Sequence, residues 1–177
     1  MIVATSQSSG AEATFSNCGR YRYLLTRRVD PHFGRENCGT LLFVMLNPST
    51  ATATEDDPTI RRCVGFARRE GYGRLAVANP FAWRATSPDD LKRATDPVGP
   101  KNEAHLRAAM RTATTVVFAW GNHGSHRLGH HLAFVNAREL GVRPLCLGIT
   151  KRGHPNHPLY LAAKTPLVPF PLPMETP

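Results

Sequence analysis

Apolar residues fall along this chain in short unbroken runs, separated by segments whose apolar positions recur at helical spacing. "TLLFVMLN" (40–47) is almost continuously apolar, the pattern of a strand covered on both faces. "RLAVANPF" (74–81), "TTVVFAWG" (114–121) and "RPLCLGIT" (143–150) repeat it. Between the first two lies "DPTIRRCVGFARREG" (57–71), where Ile60, Val64 and Ala67 share one helical face. Pro58 stands near its start and Gly71 at its stop. Further helices are predicted over 87–94, 99–113 and 125–140, and "RYRYLLTRRV" (20–29) reads as a strand leading into the turn chemistry of "DPHFGRENCG". Residues 1–13 read as a disordered lead and 166–177 as a proline-rich tail, which leaves one domain over 14–165.

Strand alternating with helix predicts right-handed crossovers and an α/β fold. The expected architecture is a three-layer α/β/α sandwich on a four-stranded parallel central sheet, with 20–29 available as an extra N-terminal antiparallel strand. Parallel strands send their C-terminal ends to one edge, where open α/β folds place ligands. Here those ends deliver "NPST", "NPFAWRAT", "WGNHG" and "KRGHPNHP". The polar oddities of the chain are thus expected at a single edge.

Charge sharpens this picture. Twenty-two Lys and Arg against 13 Asp and Glu give a net charge of +9, most of the excess being arginine. That balance favours a polyanion, nucleic acid first. Cys18, Cys38, Cys63 and Cys146 form no C-x-x-C pair, and Cys63 and Cys146 sit in apolar stretches that suit small core residues. The N-terminus lacks the pattern of a secretion signal, and no apolar run reaches membrane-spanning length. The expectation is a cytoplasmic monomer, with no membrane association.

Each edge segment offers candidate chemistry beside a plainer role. Asn47 closes the first strand, and Pro48 holds it at the mouth. A carboxamide can orient water or pair with a base edge but cannot deprotonate anything at neutral pH, and it can equally cap the turn. Ser49 and Thr50 bring hydroxyls for a phosphate or a helix cap. Glu55, Asp56 and Asp57 offer a general base or, more commonly, the N-cap of the following helix. Asn79 with Phe81 joins an amide to a flat aromatic, which suits a planar ring, although Phe81 and Trp83 serve packing equally well. Arg84 and Thr86 follow on a loop that can hold phosphate. Gly121 and Gly124 permit close backbone approach after Trp120. His123, His126 and His130 have helical spacing but no accompanying carboxylate, so no metal is assigned and no cofactor is expected. The doubled His-Pro of "GHPNHPLYL" (153–161) holds His154 and His157 in stiff, extended backbone. Either ring can donate to an oxygen that becomes negative, and Lys151 and Arg152 before them can grip phosphate.

Taken together, these stretches resemble the uracil-DNA glycosylase superfamily. "LNPS" looks like its first motif, "NPFAWRATSPDDL" like a segment of its mismatch-specific branch, "VVFAWG" like a strand of its uracil-specific branch, and "HPNHPL" like its second catalytic motif. At finer grain, "LLFVMLNPSTATATEDDPTIRRC" with "GHPNHPLYL" is similar to a largely uncharacterised family of small bacterial and phage proteins. The superfamily resemblance implies a DNA base glycosylase acting in base-excision repair without a cofactor. Asn47 would position the attacking water and Asn79 would read the base edge. One of His154 or His157 would stabilise the departing base anion, and "HPLYL" fits the shorter motif variants better, which favours His157. Pro48, Phe81, Ser49, Trp120 and Gly121 would surround the base, with Arg84, Lys151 and Arg152 on phosphates. Met45 stands where the superfamily has glycine, and "STATATEDDP" supplies no aromatic. Two other classes fit the same features: a non-catalytic nucleic-acid-binding module of this fold, and a hydrolase acting on free nucleosides or nucleotides.

Overall fold

A computed structural model of the chain describes residues 2–6, 10–29, 39–124 and 129–172. Along them run β1 (Ile2–Ser6), β2 (Ala11–Phe15), β3 (Arg22–Arg28), β4 (Thr40–Val44), α1 (Pro58–Arg69) and β5 (Arg74–Ala78). There follow α2 (Pro88–Arg93), α3 (Asn102–Thr112), β6 (Thr115–Phe118), α4 (Gly129–Glu139), β7 (Leu145–Cys146) and β8 (Val168–Pro169). The turn expected after residue 29, with Cys38, lies outside the described residues, as do His126 and the start predicted for the last helix. Among the described residues no helix is long and apolar enough to cross a membrane.

All eight strands join one mixed sheet in the order β1-β2-β3-β5-β4-β6-β7-β8. Strand β4 pairs in parallel with β5 and β6, and β6 with β7. The pairings β1–β2, β2–β3, β3–β5 and β7–β8 are antiparallel. The fold is therefore α/β on a mixed sheet wider than expected: β5-β4-β6-β7 pair in parallel, β3 joins them antiparallel, and over the whole sheet antiparallel pairings outnumber parallel ones by four to three. Part of the surplus comes from segments expected to lack structure. In the lead, β1 and β2 form an antiparallel pair with Ile2 opposite Phe15, and the alanines Ala11 and Ala13 of β2 are buried. In the tail, β8 lines the sheet edge, where a proline costs no ladder bond, and Phe170 packs on Phe118 and Trp120.

Alternation along the strands sorts the core into two faces. Leu41, Phe43, Leu75, Val77 and Val117 meet Ile60, Cys63, Phe66 and Ala67 of α1. Leu42, Val44, Ala76, Val116 and Phe118 meet Leu106 and Met110 of α3 and Ala133 and Ala137 of α4. Helix α1 begins where the sequence expects, with Asp57 as N-cap accepting the Ile60 N–H at 2.8 Å and Pro58 in the first turn. Because β4, β6 and β7 run in parallel, the loops that follow them leave the sheet on one edge.

Candidate active site

These loops, with the start of β3 and the segment after β5, enclose a cleft of about 440 Å³, within the size range of small-ligand sites. Asn47, Asp57, Arg22, Gly121, His157 and Tyr160 all line it, with Ser49 and Trp120.

His157 opens a 3-10 turn over Pro158–Tyr160, and its Nδ1 accepts the Leu159 N–H at 3.3 Å. A ring nitrogen that accepts carries no proton, so the neutral imidazole holds its proton on Nε2, as a donor. Burial pulls its pKa below the ordinary value of 6.5, the charge of Asp57 opposing this in part, so the ring is neutral at pH 7. Its loop is well held. The Gly121 N–H donates to Pro155 O at 2.9 Å, and Asn156 N–H to Gly148 O at 2.9 Å. Gly121 itself has φ of 69°, and a Cβ there would lie 3.4 Å from His157 Cβ. His154 goes elsewhere. Its ring sits 6.1 Å from that of His130 on α4, and it does not line the cleft.

Asn47 donates from Nδ2 to Pro48 O at 3.0 Å and to Ala85 O at 2.9 Å. Both amide hydrogens are thereby spent on loop carbonyls, which leaves Oδ1 as an acceptor for water or ligand. Asp57 Oδ1 caps α1, the commoner of its two expected roles, and the residue also lines the cleft. Of the other two acids, Asp56 pairs with the buried Arg27 at 2.7 Å and Glu55 is exposed.

Arg22 and Tyr160 are among the cleft residues that the sequence did not single out. Arg22 is only 2 % exposed, yet it lines the cleft, and among the described residues its guanidinium makes one hydrogen bond, from Nη1 to Ala51 O at 2.8 Å. Burial pulls its pKa down to about 10, with Asp57 opposing. Tyr160 is 82 % exposed, its ring 5.6 Å from that of His157. It is an exposed aromatic of the cleft wall, within "HPLYL".

Other expected residues lie away from the cleft. Asn79 is 1 % exposed and does not line it; its carbonyl accepts the Asn102 side-chain amide at 2.8 Å, as part of the seat of α3. Phe81 is fully buried, its ring set closely against Gly129 at the start of α4. Pro48 is buried and contributes its carbonyl to Asn47 and to the Ala85 N–H. Trp120 reaches the cleft but is 2 % exposed and packs on Phe118, Phe134 and Phe170. Lys151 and Arg152 are exposed on the turn after β7 and do not line the cleft. Arg84 lies in a neighbouring open groove with Arg20, Trp83 and Arg93. Among the described residues, no three His, Cys, Asp or Glu side chains are grouped to hold a metal.

A family model described as "Protein of unknown function (DUF1643)" matches residues 22–159. The chain belongs to the DUF1643 family. The DUF1643 match runs from Arg22 to Leu159, so it takes in Arg22, Asn47, Asp57 and His157 and ends one residue before Tyr160. No curated protein and no solved structure was found to match the chain.

Proposed function

We propose that this chain hydrolyses the N-glycosidic bond of a damaged, mismatched or modified base in DNA. The observation that carries the reading is the meeting, in one cleft, of a carboxamide with an unused oxygen and a neutral histidine with its proton on Nε2. When the C1′–N bond breaks, its electron pair goes to the base, and the sugar becomes cationic. Asn47 Oδ1 accepts a hydrogen bond from a water and aims its oxygen at C1′. His157 Nε2–H donates to the base as negative charge develops there, the role of a preorganised oxyanion donor. The water oxygen bonds to C1′, and a water proton ends on the released base. Asp57, beside the sugar cation, contributes fixed negative charge on this reading. Tyr160 stacks on the extruded base, and the basic groove takes the strand.

Helices against both faces of the sheet support a three-layer arrangement of the glycosylase type. The protein acts on this reading as a cytoplasmic monomer in DNA repair, without a cofactor. The test is incubation with single- and double-stranded oligonucleotides, each carrying one altered base, followed by alkaline cleavage of abasic sites. Cleavage at one or more altered bases is expected. No cleavage with any of them contradicts the proposal, and hydrolysis of free nucleosides or nucleotides alone would replace it with the small-molecule alternative.

A further inference from the structure

We propose that Arg22 and Arg84 together clamp a phosphate ester of the substrate at the seam between the cleft and the neighbouring groove. The inference deepens the glycosidic reading and rests on it for the identity of the ligand. The cleft and the groove share Ser49, Ala85 and Thr86 as a common wall, so they are contiguous. Arg22 borders this wall from the cleft side and Arg84 from the groove side.

Neither arginine has an ion-pair partner among the described residues. The Arg22 guanidinium directs one N–H to Ala51 O and has no other hydrogen-bond partner among the described residues, though nearly all of the residue is buried. Arg84 directs Nη1 to Gly19 O at 3.1 Å, lies over the Phe15 ring at 5.2 Å, and has a buried Nε with no acceptor. The charge of Arg84 adds to burial in pulling the Arg22 pKa down. A buried cation without an anion is costly, and Arg22 is such a cation, with the half-buried Arg84 on the other side of the shared wall. Asp57 opposes the loss of charge at Arg22, but its Oδ1 already accepts the Ile60 N–H of α1. Among the described residues, Arg27 is paired with Asp56 and, on the groove wall, Arg93 with Asp90, which leaves Arg22 and Arg84 with Asp57 between them. A phosphate resolves this imbalance, since the planar guanidinium fork matches its oxygens, and the Ser49 and Thr86 hydroxyls add donors on the shared wall. The same chemistry fits the phosphodiester of a strand continuing into the groove and the terminal phosphate of a free nucleotide.

The test compares, by calorimetry on the parent protein, thymidine, thymidine 5′-monophosphate and the dinucleotide joined by one phosphodiester. A phosphate-bearing ligand is expected to bind at least about tenfold tighter than the nucleoside, roughly the gain of one good charge-assisted contact. If only the dinucleotide gains, the clamp holds a strand; if the monophosphate gains, it holds a nucleotide. Arg84→Gln, at the groove, and Arg22→Gln should each close the gap, and Arg22→Lys should restore part of it. Should Arg22→Gln fail to fold, Arg84→Gln and the ligand comparison on the parent still decide. Equal affinity for nucleoside and phosphate esters, no binding of any of them, or a gap that survives Arg84→Gln would overturn the clamp. Base release from DNA without a phosphate gap removes the clamp alone, whereas a phosphate gap without base release removes the glycosidic reading alone.

Discussion

A neutral histidine carries its one N–H on either ring nitrogen, and at His157 the Leu159 amide, donating to Nδ1, fixes it on Nε2. Because its folded pKa is lowered, the neutral ring is present above that pKa and is lost as pH falls through it, when Nδ1 takes a proton and can no longer accept the Leu159 N–H. An NMR titration should therefore place the His157 midpoint below the ordinary 6.5. Asp57→Asn keeps a capping oxygen for α1 but removes the charge that favours the protonated ring, so the midpoint should move lower still. A midpoint at or above 6.5 would contradict the buried, neutral ring. Sequence alone left His154 and His157 open because both precede proline. What separates them is distant in the chain: His130 of α4 faces one, and Gly121 after β6 lies against the other. Asn47 and Asn79 were likewise alike, each an Asn-Pro closing a strand. The carbonyl of Asn79 is engaged by Asn102, a partner 23 residues on that no local pattern announces. Arg22 was missed because alternation of tyrosine and arginine does not say which arginine faces a cleft.

Elements were easier to read than residues. The apolar runs marked the buried strands, and Asp57, Pro58 and Gly71 marked the ends of α1, because both signals are local. Strands β1, β2 and β8 were not legible: Ala11 and Ala13 are weak strand formers, and their burial depends on β3 alongside. The connection between β6 and the His-Pro loop is the element contact on which the site depends. Gly121→Ala places a side chain at φ of 69°, 3.4 Å from His157 Cβ. It should cost about 1–2 kcal/mol in urea denaturation and reduce turnover by displacing the His157 ring. A variant as stable and as active as the parent would show that this contact does not set the ring.

Over the whole molecule, the convergence of the strand ends was legible because parallel strands have no other way to leave the sheet. The distribution of charge was not. The +9 excess implied a polyanion, but Lys151 and Arg152 stand apart from the cleft, whereas Arg20, Arg84 and Arg93 gather in the groove. If that groove carries a strand, oligonucleotide affinity should fall steeply with salt, with a log–log slope of about −0.7 for each single-strand phosphate neutralised. Arg93→Gln should flatten the slope. An affinity independent of salt would exclude phosphate tracking.

The central claim is that His157, aimed by its loop, stabilises the departing base opposite Asn47. It is tested most directly by the rate of base release from one altered-base oligonucleotide, measured at saturating protein for the parent and for His157→Ala. The account predicts a fall on the order of a hundredfold or more, with oligonucleotide affinity and thermal stability nearly unchanged. Equal rates in the two proteins would contradict it.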